Sequence, residues 1–352
     1  MALLFMDSFD HYATADAGTK WTNAASSSGT ITIGAFGRHS SNGFRSTTGA
    51  GGFATVYAYL SKTLAPSGVG FVVGLAVTFQ AAPTGNPQIF LAVADSGTIQ
   101  VGVRCNTDMT LSIIRGSTVL ATSTSALTVG VSAYVEFKGT IDPASGSAAV
   151  KVNGLATGWP TFSGNTRNTS NTSWNAVAIG NNVFQAGLST TDNTDIDDCY
   201  VMDQSGGAPW ADYLGDVRVD PRYPTGVGNS SGWTPSTGSN WQNVDDTAPN
   251  GDTDYNSAAS VLSDTFVTQD APVVGAVIYG VQHNLNFKKS DAGTCTVAPV
   301  IRRGGTDYVG ADQSPSTSYG YALVVAQTDP STSAQWTEAN FNGAEFGYKR
   351  TS

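Results

Sequence analysis

Apolar and polar positions alternate with a period of two along most of this chain, the signature of strands rather than helices. Val69 to Phe79 reads as a long, well-buried strand, and Gln88 to Ala94 follows it after a Pro/Gly turn. Thr98 to Arg104 and Thr110 to Arg115 form a meander that Val119 to Thr122 closes. Ala133 to Ile141 and Ala148 to Gly154 flank Asp142-Pro143-Ala144-Ser145-Gly146. Asp-Pro and Ser-Gly punctuation between two alternating runs predicts a hairpin. Phe5 to Asp10 predicts an N-terminal strand, and Ala176 to Gly180 and Thr194 to Asp203 supply two more.

Gln204 to Trp210, rich in Gly, Ser and Pro, predicts a break in this pattern. Beyond it, Leu214 to Val219 starts a second set of alternating segments. That set continues at Ser260 to Val267, Val273 to Phe287, Cys295 to Arg302, Tyr319 to Gln327 and Ala344 to Lys349, with one short helix over Ser333 to Asn340. At 352 residues, two domains are the expectation. We place them at residues 1–205 and 213–352, with 206–212 as the linker.

Composition narrows the class. Charged residues make up 12% of the chain and apolar ones 40%, enough to bury a core, while 40 glycines suit frequent reversals. The net charge of −10 argues against a nucleic-acid surface, and the pairs Lys288-Lys289 and Arg302-Arg303 stand isolated. Three cysteines, Cys105, Cys199 and Cys295, make no disulfide framework. The N-terminal apolar run is short, lacks a basic lead and meets Asp7 at once, so no signal peptide is expected. No apolar stretch approaches the ~18 residues of a membrane span.

The order of segments resembles the concanavalin-like (laminin-G-like) jelly roll. The matching pieces are Phe5 to Asp10, the Tyr134-Val135-Glu136-Phe137-Lys138 strand, Val150 to Gly154 and the closing Asp195 to Asp203 strand. In such folds the first and last strands pair, which removes an exposed edge. The expected fold is therefore all-β: a concanavalin-like jelly-roll sandwich followed by a second, smaller β-sandwich. The layout as a whole is similar to virion proteins of tailed bacteriophages. The segments that carry this are Asp197 to Asp203, Leu214 to Val219, Trp233 to Asn240, Val244 to Tyr255 and Glu345 to Gly347. The resemblance implies a structural protein of the head or tail: a capsid decoration or head-fibre protein, with a tail or baseplate component as the alternative. A receptor-binding module for host surface carbohydrate is the reading from another class. The partners implied are further copies of the chain, as a trimer, and capsid or tail proteins. The location implied is the virion, after synthesis in the host cytoplasm.

Candidate chemistry is thin. Glycan cleavage uses two carboxylates about 5–10 Å apart. The chain has three glutamates, Glu136, Glu338 and Glu345, and the Glu-x-Asp-x-x-Glu pattern of related glucanases does not occur, so no enzyme is expected. Gly228 to Gly232 matches a nucleophile-elbow pattern without the strand and helix an elbow requires. His11, His39 and His283 make no metal-ligand spacing. Calcium is the one cofactor weighed. Asp195 and Asp197 offer oxygens in one stretch, and Asp246, Asp252 and Asp254 in another. In the second stretch Ala248 takes a needed ligand position and Ser257 stands where a closing Glu would be. Trp159, Trp174, Trp233 and Trp241 lie in polar, Gly-rich surroundings, where an aromatic stacks on a sugar, packs under a loop or sits at a subunit interface, and packing or an interface is the favoured reading.

Overall fold

A computed structural model describes residues 2–49, 56–184 and 192–352. The chain forms two compact units, Met1–Val219 and Asp220–Ser352. The first unit carries fifteen strands among its described residues: β1 Leu3–Asp7, β2 Asn23–Ser27, β3 Gly29–Gly34, β4 Gly43–Thr48, β5 Tyr57–Thr63, β6 Gly70–Phe79, β7 Gln88–Asp95, β8 Thr98–Cys105, β9 Thr110–Arg115, β10 Thr118–Ala126, β11 Ala133–Thr140, β12 Gly146–Val152, β13 Thr161–Gly164, β14 Ala176–Asn181 and β15 Asn193–Met202.

They build a jelly-roll sandwich. One sheet runs β13-β12-β11-β6-β15-β4-β3, with β1 also paired to β15, and the other runs β10-β9-β8-β7-β14-β5-β2. The pairings are antiparallel, and sequence neighbours β8 to β10 form the predicted meander, which β7 extends by one strand. Alternate residues of both sheets point into the layer between them. There Phe79 of β6 meets Phe90 of β7 edge-on at 5.3 Å, and Phe71 faces Trp174 at 6.5 Å. The central strands β6 and β7 are buried along almost their whole length, which is why they read as continuous apolar runs.

The last strand, β15, changes partner halfway. Along one edge it pairs first with β4, through Asn193 to Ile196, and then with β1, through Cys199 to Met202. Along the other edge it follows β6 throughout, with a bulge between Asp197 and Tyr200. Asp198 sits in that bulge at φ +50°, a left-handed conformation that Asp tolerates better than most residues. The expected pairing of the first and last strands is thus present.

The domain boundary differs from the sequence reading. The chain stays with the first unit through Val219. Residues 206–219, read as a linker and the start of a second domain, form a strap laid over the eight-stranded sheet, with Trp210 buried. Leu214 to Val219 alternates like a strand, yet its amides bond to side chains of the sheet below: Gly215 N–H donates to Glu136 Oε1 at 2.9 Å and Val219 N–H to Asp198 Oδ1 at 2.8 Å.

The second unit contains β16 Pro224–Ser231, β17 Thr234–Pro235, β18 Asn256–Ser257, β19 Ser263–Thr268, β20 Val281–Phe287, β21 Val297–Arg303, β22 Thr306–Val309, β23 Gly320–Ala326 and β24 Glu345–Arg350. A five-stranded sheet runs β16-β19-β24-β21-β22, and β20 pairs with β23 in a ribbon. Trp336, Phe341, Ala344 and Phe346 pack with Val281 and Ala326 of the ribbon and Ile301 of the sheet, giving the smaller sandwich its core. Asp264, fully buried on β19, accepts from the Gly232 and Trp233 amides and from Asn240, which anchors the loop after β16. Of the run Val273 to Phe287, only Val281–Phe287 is a strand; Gly275 turns the chain at φ +73° and Val274 is 90% exposed. The helix expected over Ser333 to Asn340 spans Glu338–Asn342, because Thr337 accepts from the Asn340 amide and caps it there.

Candidate functional site

The outer face of the eight-stranded sheet holds the first unit's only glutamate. On β11, Phe137 points into the sandwich against Phe71, at 5.0 Å, so Glu136 and Lys138 point away from it. Glu136 stands opposite Gly74 of β6, and Gly74 stands opposite Tyr200 of β15. Gly74 leaves this row open: a Cβ there would lie 2.1 Å from the Tyr200 ring. Tyr200 crosses over it and donates its hydroxyl to Glu136 Oε1 at 2.6 Å. Burial, then the neighbouring Glu136 charge, holds the Tyr200 hydroxyl well above its ordinary range. The strap closes the row from above, with Leu214 N–H on the Tyr200 hydroxyl and Gly215 N–H on Glu136. Lys138 pairs with Asp212 of the strap at 2.8 Å. Glu136 is 1% exposed. Its register neighbours are Gly74 and Lys151, so the row offers no second carboxylate for acid–base work on a sugar.

The β15 bulge fastens the rest of the strap. Arg38 forks onto Asp198 Oδ2 with Nε and Nη2, at 2.9 and 2.7 Å. The same guanidinium donates to Asp216 Oδ1 at 2.6 Å and to the Val217 carbonyl at 2.7 Å. Asp195, a calcium candidate, is taken by Arg45, which binds both its oxygens at 2.6 and 2.7 Å, and by Gln80. Asp197 accepts from the Arg38 and Asp198 amides and from Ser41. Burial, then the charge of Asp198, pushes the Asp197 carboxyl up to about 8. A carboxyl raised on folding holds a proton in the native state where the unfolded chain has lost it, so stability falls as pH rises from about 4 to about 8. Asp197→Asn removes this contribution. Wild type is expected to lose stability relative to the variant over that window, by ~1.4 kcal/mol per pH unit in which only the native state holds the proton. Urea titrations at pH 5 and pH 8 measure it; equal changes in both proteins would refute it.

A second cluster lies under the N-terminal strand. Leu3, Phe5 and Asp7 share the buried face of β1. Asp7 and Lys20 are both fully buried and pair at 2.7 Å. Asp7 Oδ2 accepts from the Tyr12 hydroxyl and from Trp21 Nε1, both at 2.7 Å, and Oδ1 accepts from the Phe9 amide at 3.0 Å. His11 Nε2 is in close contact with Lys20 Nζ. Burial would raise the Asp7 carboxyl, but the charge of Lys20 overrides it and holds the group below its usual range. Burial, then Lys20, pushes the His11 ring down to about 3, so the ring is neutral at pH 7. The sequence reading passed over this cluster. Its signal was an aspartate on the apolar face of a strand and a lysine followed directly by tryptophan.

The other predicted residues scatter. Trp174 is a core residue, 1% exposed, with its Nε1 on the Gly70 carbonyl at 3.0 Å. It presents no surface to a sugar or a partner, so of the readings weighed for it only packing remains. Trp233 packs edge-on against Tyr348 at 4.8 Å and donates to the Leu262 carbonyl. Trp159 and Trp241 are half-buried. In the Asp246 to Asp254 loop, the Asn250 amide donates to both Asp246 and Asp254 at 2.7 Å, while Asp252 pairs with Lys288. Among the described residues, no three His, Cys, Asp or Glu side chains converge as a metal ion would need. No helix among them is long and apolar enough to cross a membrane.

No protein-family model matches the chain, and no curated protein matches it. Solved structures similar to it include the cellulose-induced protein Cip1, at 18% identity and TM-score 0.40, covering 53% of this chain and 92% of that one. A sialidase is similar at 11% identity and TM-score 0.42, over 56% of this chain and 18% of that one. Lectin II from Ulex europaeus is similar at 12% identity and TM-score 0.33, over 49% and 90%. The jelly-roll description of the first unit rests on its own strand order and register.

Proposed function

We propose that this chain is a non-enzymatic structural protein of a tailed-bacteriophage virion, a capsid decoration or head-fibre protein that assembles as a homotrimer. The sequence resemblance to such proteins, which spans nearly the whole chain, supports it. The structural observation that carries it is the fate of the outer sheet face. Glu136, Asp195 and Asp198 are spent on internal fastening, and residues 206–219 cover the row where Glu136 stands. A sandwich that closes this face with its own chain uses it as architecture. Trimers fit because decorations and fibres occupy symmetric positions on the particle.

Cryo-EM or immunogold labelling of purified virions tests the reading. Label spread over the head is the expected result. Label confined to the tail moves the protein to a tail or baseplate role, and particles without label overturn the virion assignment.

A second reading, a module that recognises host surface carbohydrate, is favoured by one observation: Trp159 and Trp241 each keep part of their surface exposed. Saturable binding to a glycan array that is lost in Trp159→Ala or Trp241→Ala would replace the first reading with this one.

A further inference from the structure

We infer that Asp7 and Lys20 are joined by an intramolecular amide bond, which the folded chain forms without a helper. The argument starts from geometry. Lys20 Nζ lies 2.7 Å from Asp7 Oδ1, and both side chains are 0% exposed. The pair is walled by aromatic rings, with Nζ 5.1 Å from the Tyr12 ring centroid and 6.0 Å from that of Phe5. An amine held against a carboxyl in a dry site has its translational entropy already removed. Desolvation also favours the neutral, nucleophilic form of a lysine. Burial acts in that direction on Lys20, whose ammonium is held below its usual range against the pull of Asp7.

The remaining contacts supply what an acyl transfer needs. Tyr12 and Trp21 both donate to Asp7 Oδ2 at 2.7 Å, where negative charge grows when Cγ becomes tetrahedral. The Phe9 amide holds Oδ1, the oxygen that leaves. His11 Nε2, in contact with Nζ, can accept one proton and return it.

The step balances without a co-reactant. One proton passes from the Lys20 ammonium to Asp7 Oδ1, which turns the ion pair into a neutral amine and acid. The amine attacks Cγ and forms the N–C bond. A second proton moves from the nitrogen through His11 to Oδ1. The Cγ–Oδ1 bond breaks and Oδ1 leaves as water with both protons. Oδ2 becomes the amide carbonyl, still held by Tyr12 and Trp21, and the third proton stays on the nitrogen. One positive and one negative charge vanish from a site where each was costly to bury. The product water escapes to bulk, and the reverse reaction needs water to re-enter a closed site. The bond would tie β1 to a residue thirteen positions away and pin the strand that closes the sheet against β15.

Mass spectrometry of the purified full chain is the test. The expected result is an intact mass, under denaturing conditions, one water below that of the linear sequence. Trypsin should leave the bond after Lys20 uncut, and fragment spectra should place a branch between Asp7 and Lys20. Lys20→Arg, which keeps the charge but offers no amine, should show the full mass. A folded wild-type protein at full mass and cut after Lys20 overturns the proposal. So does the same loss of water in Lys20→Arg.

Discussion

Replacing Asp7 with leucine is expected to destabilise the first unit by at least ~3–5 kcal/mol, the range for removing one partner of a buried ion pair, and by more in chains where the Asp7–Lys20 amide has formed. Leucine is close to aspartate in shape, so little of this is steric. The loss comes from what remains. Lys20 is left at 0% exposure without its counter-charge, and the Tyr12 hydroxyl and Trp21 Nε1 lose the carboxylate oxygen they share. Each lost hydrogen bond to the charged group accounts for ~1.5–3 kcal/mol of this. Adding Lys20→Met removes the stranded charge, so the double variant is expected to be more stable than Asp7→Leu alone. That reversal separates electrostatics from packing, because a methionine and a lysine stem fill similar space. Scanning calorimetry of the full chain, read at the first unit's transition, measures both. A single variant within ~1 kcal/mol of wild type, or a double variant below the single, would refute the account.

The strands legible in the sequence are those buried on both sides or alternating strictly. β6, β7, β9, β11, β14 and β15 fall within a residue or two of their expected spans, because apolar residues recur along them in runs or at alternate positions. The strands that escaped are β2, β3, β4, β5 and β13 in the first unit and β16, β17, β18 and β22 in the second. β2, β3, β13 and β16 lie at sheet edges, where one side meets solvent and Ser, Thr, Gly and Asn suffice. Their residues carry turn chemistry in isolation, and neighbouring strands make them β. The strap failed in the opposite sense. Val217 and Val219 alternate with Asp216 and Arg218, but the pattern serves contact with a sheet rather than membership of one. Of the candidate residues, Trp174 stayed open among stacking, packing and interface because its neighbours are Asn, Ser and Thr, while the Gly70 carbonyl that receives its Nε1 is 104 residues away. The Asp7–Lys20 pair was hidden for a related reason. Charge near an N-terminus reads as surface unless the face it shares with Leu3 and Phe5 is followed.

Arg38→Ala is expected to loosen the strap and to destabilise the first unit by ~2–4 kcal/mol, since it withdraws the cation from a buried carboxylate. Arg38 is the point where three pieces of the unit meet. Its fork holds Asp198 in the β15 bulge, its third nitrogen reaches Asp216, and Nη2 also holds the Val217 carbonyl. Its guanidinium sits 5.1 Å from the centroid of the Tyr134 ring, and that residue's hydroxyl donates to the Asp198 carbonyl. Alanine takes the Arg38 guanidinium away from the Asp198 carboxylate, 2% exposed, which lies beside the raised carboxyl of Asp197. The strap then keeps its fastenings at Glu136 and Lys138 but loses those at 216 and 217. Trypsin should therefore cut after Arg218 faster in the variant than in wild type, while the amides of β6 and β11 keep their exchange protection. Arg38→Lys restores a charge but has no fork to span Asp198 and Val217 together, so it should fall between the two. Equal cleavage at Arg218 in all three proteins would mean that the other contacts, among them those at Glu136, Lys138 and the Val219 amide, hold the strap without Arg38. The Arg38 fork would then serve the local geometry of β15 rather than fasten the chain that follows it.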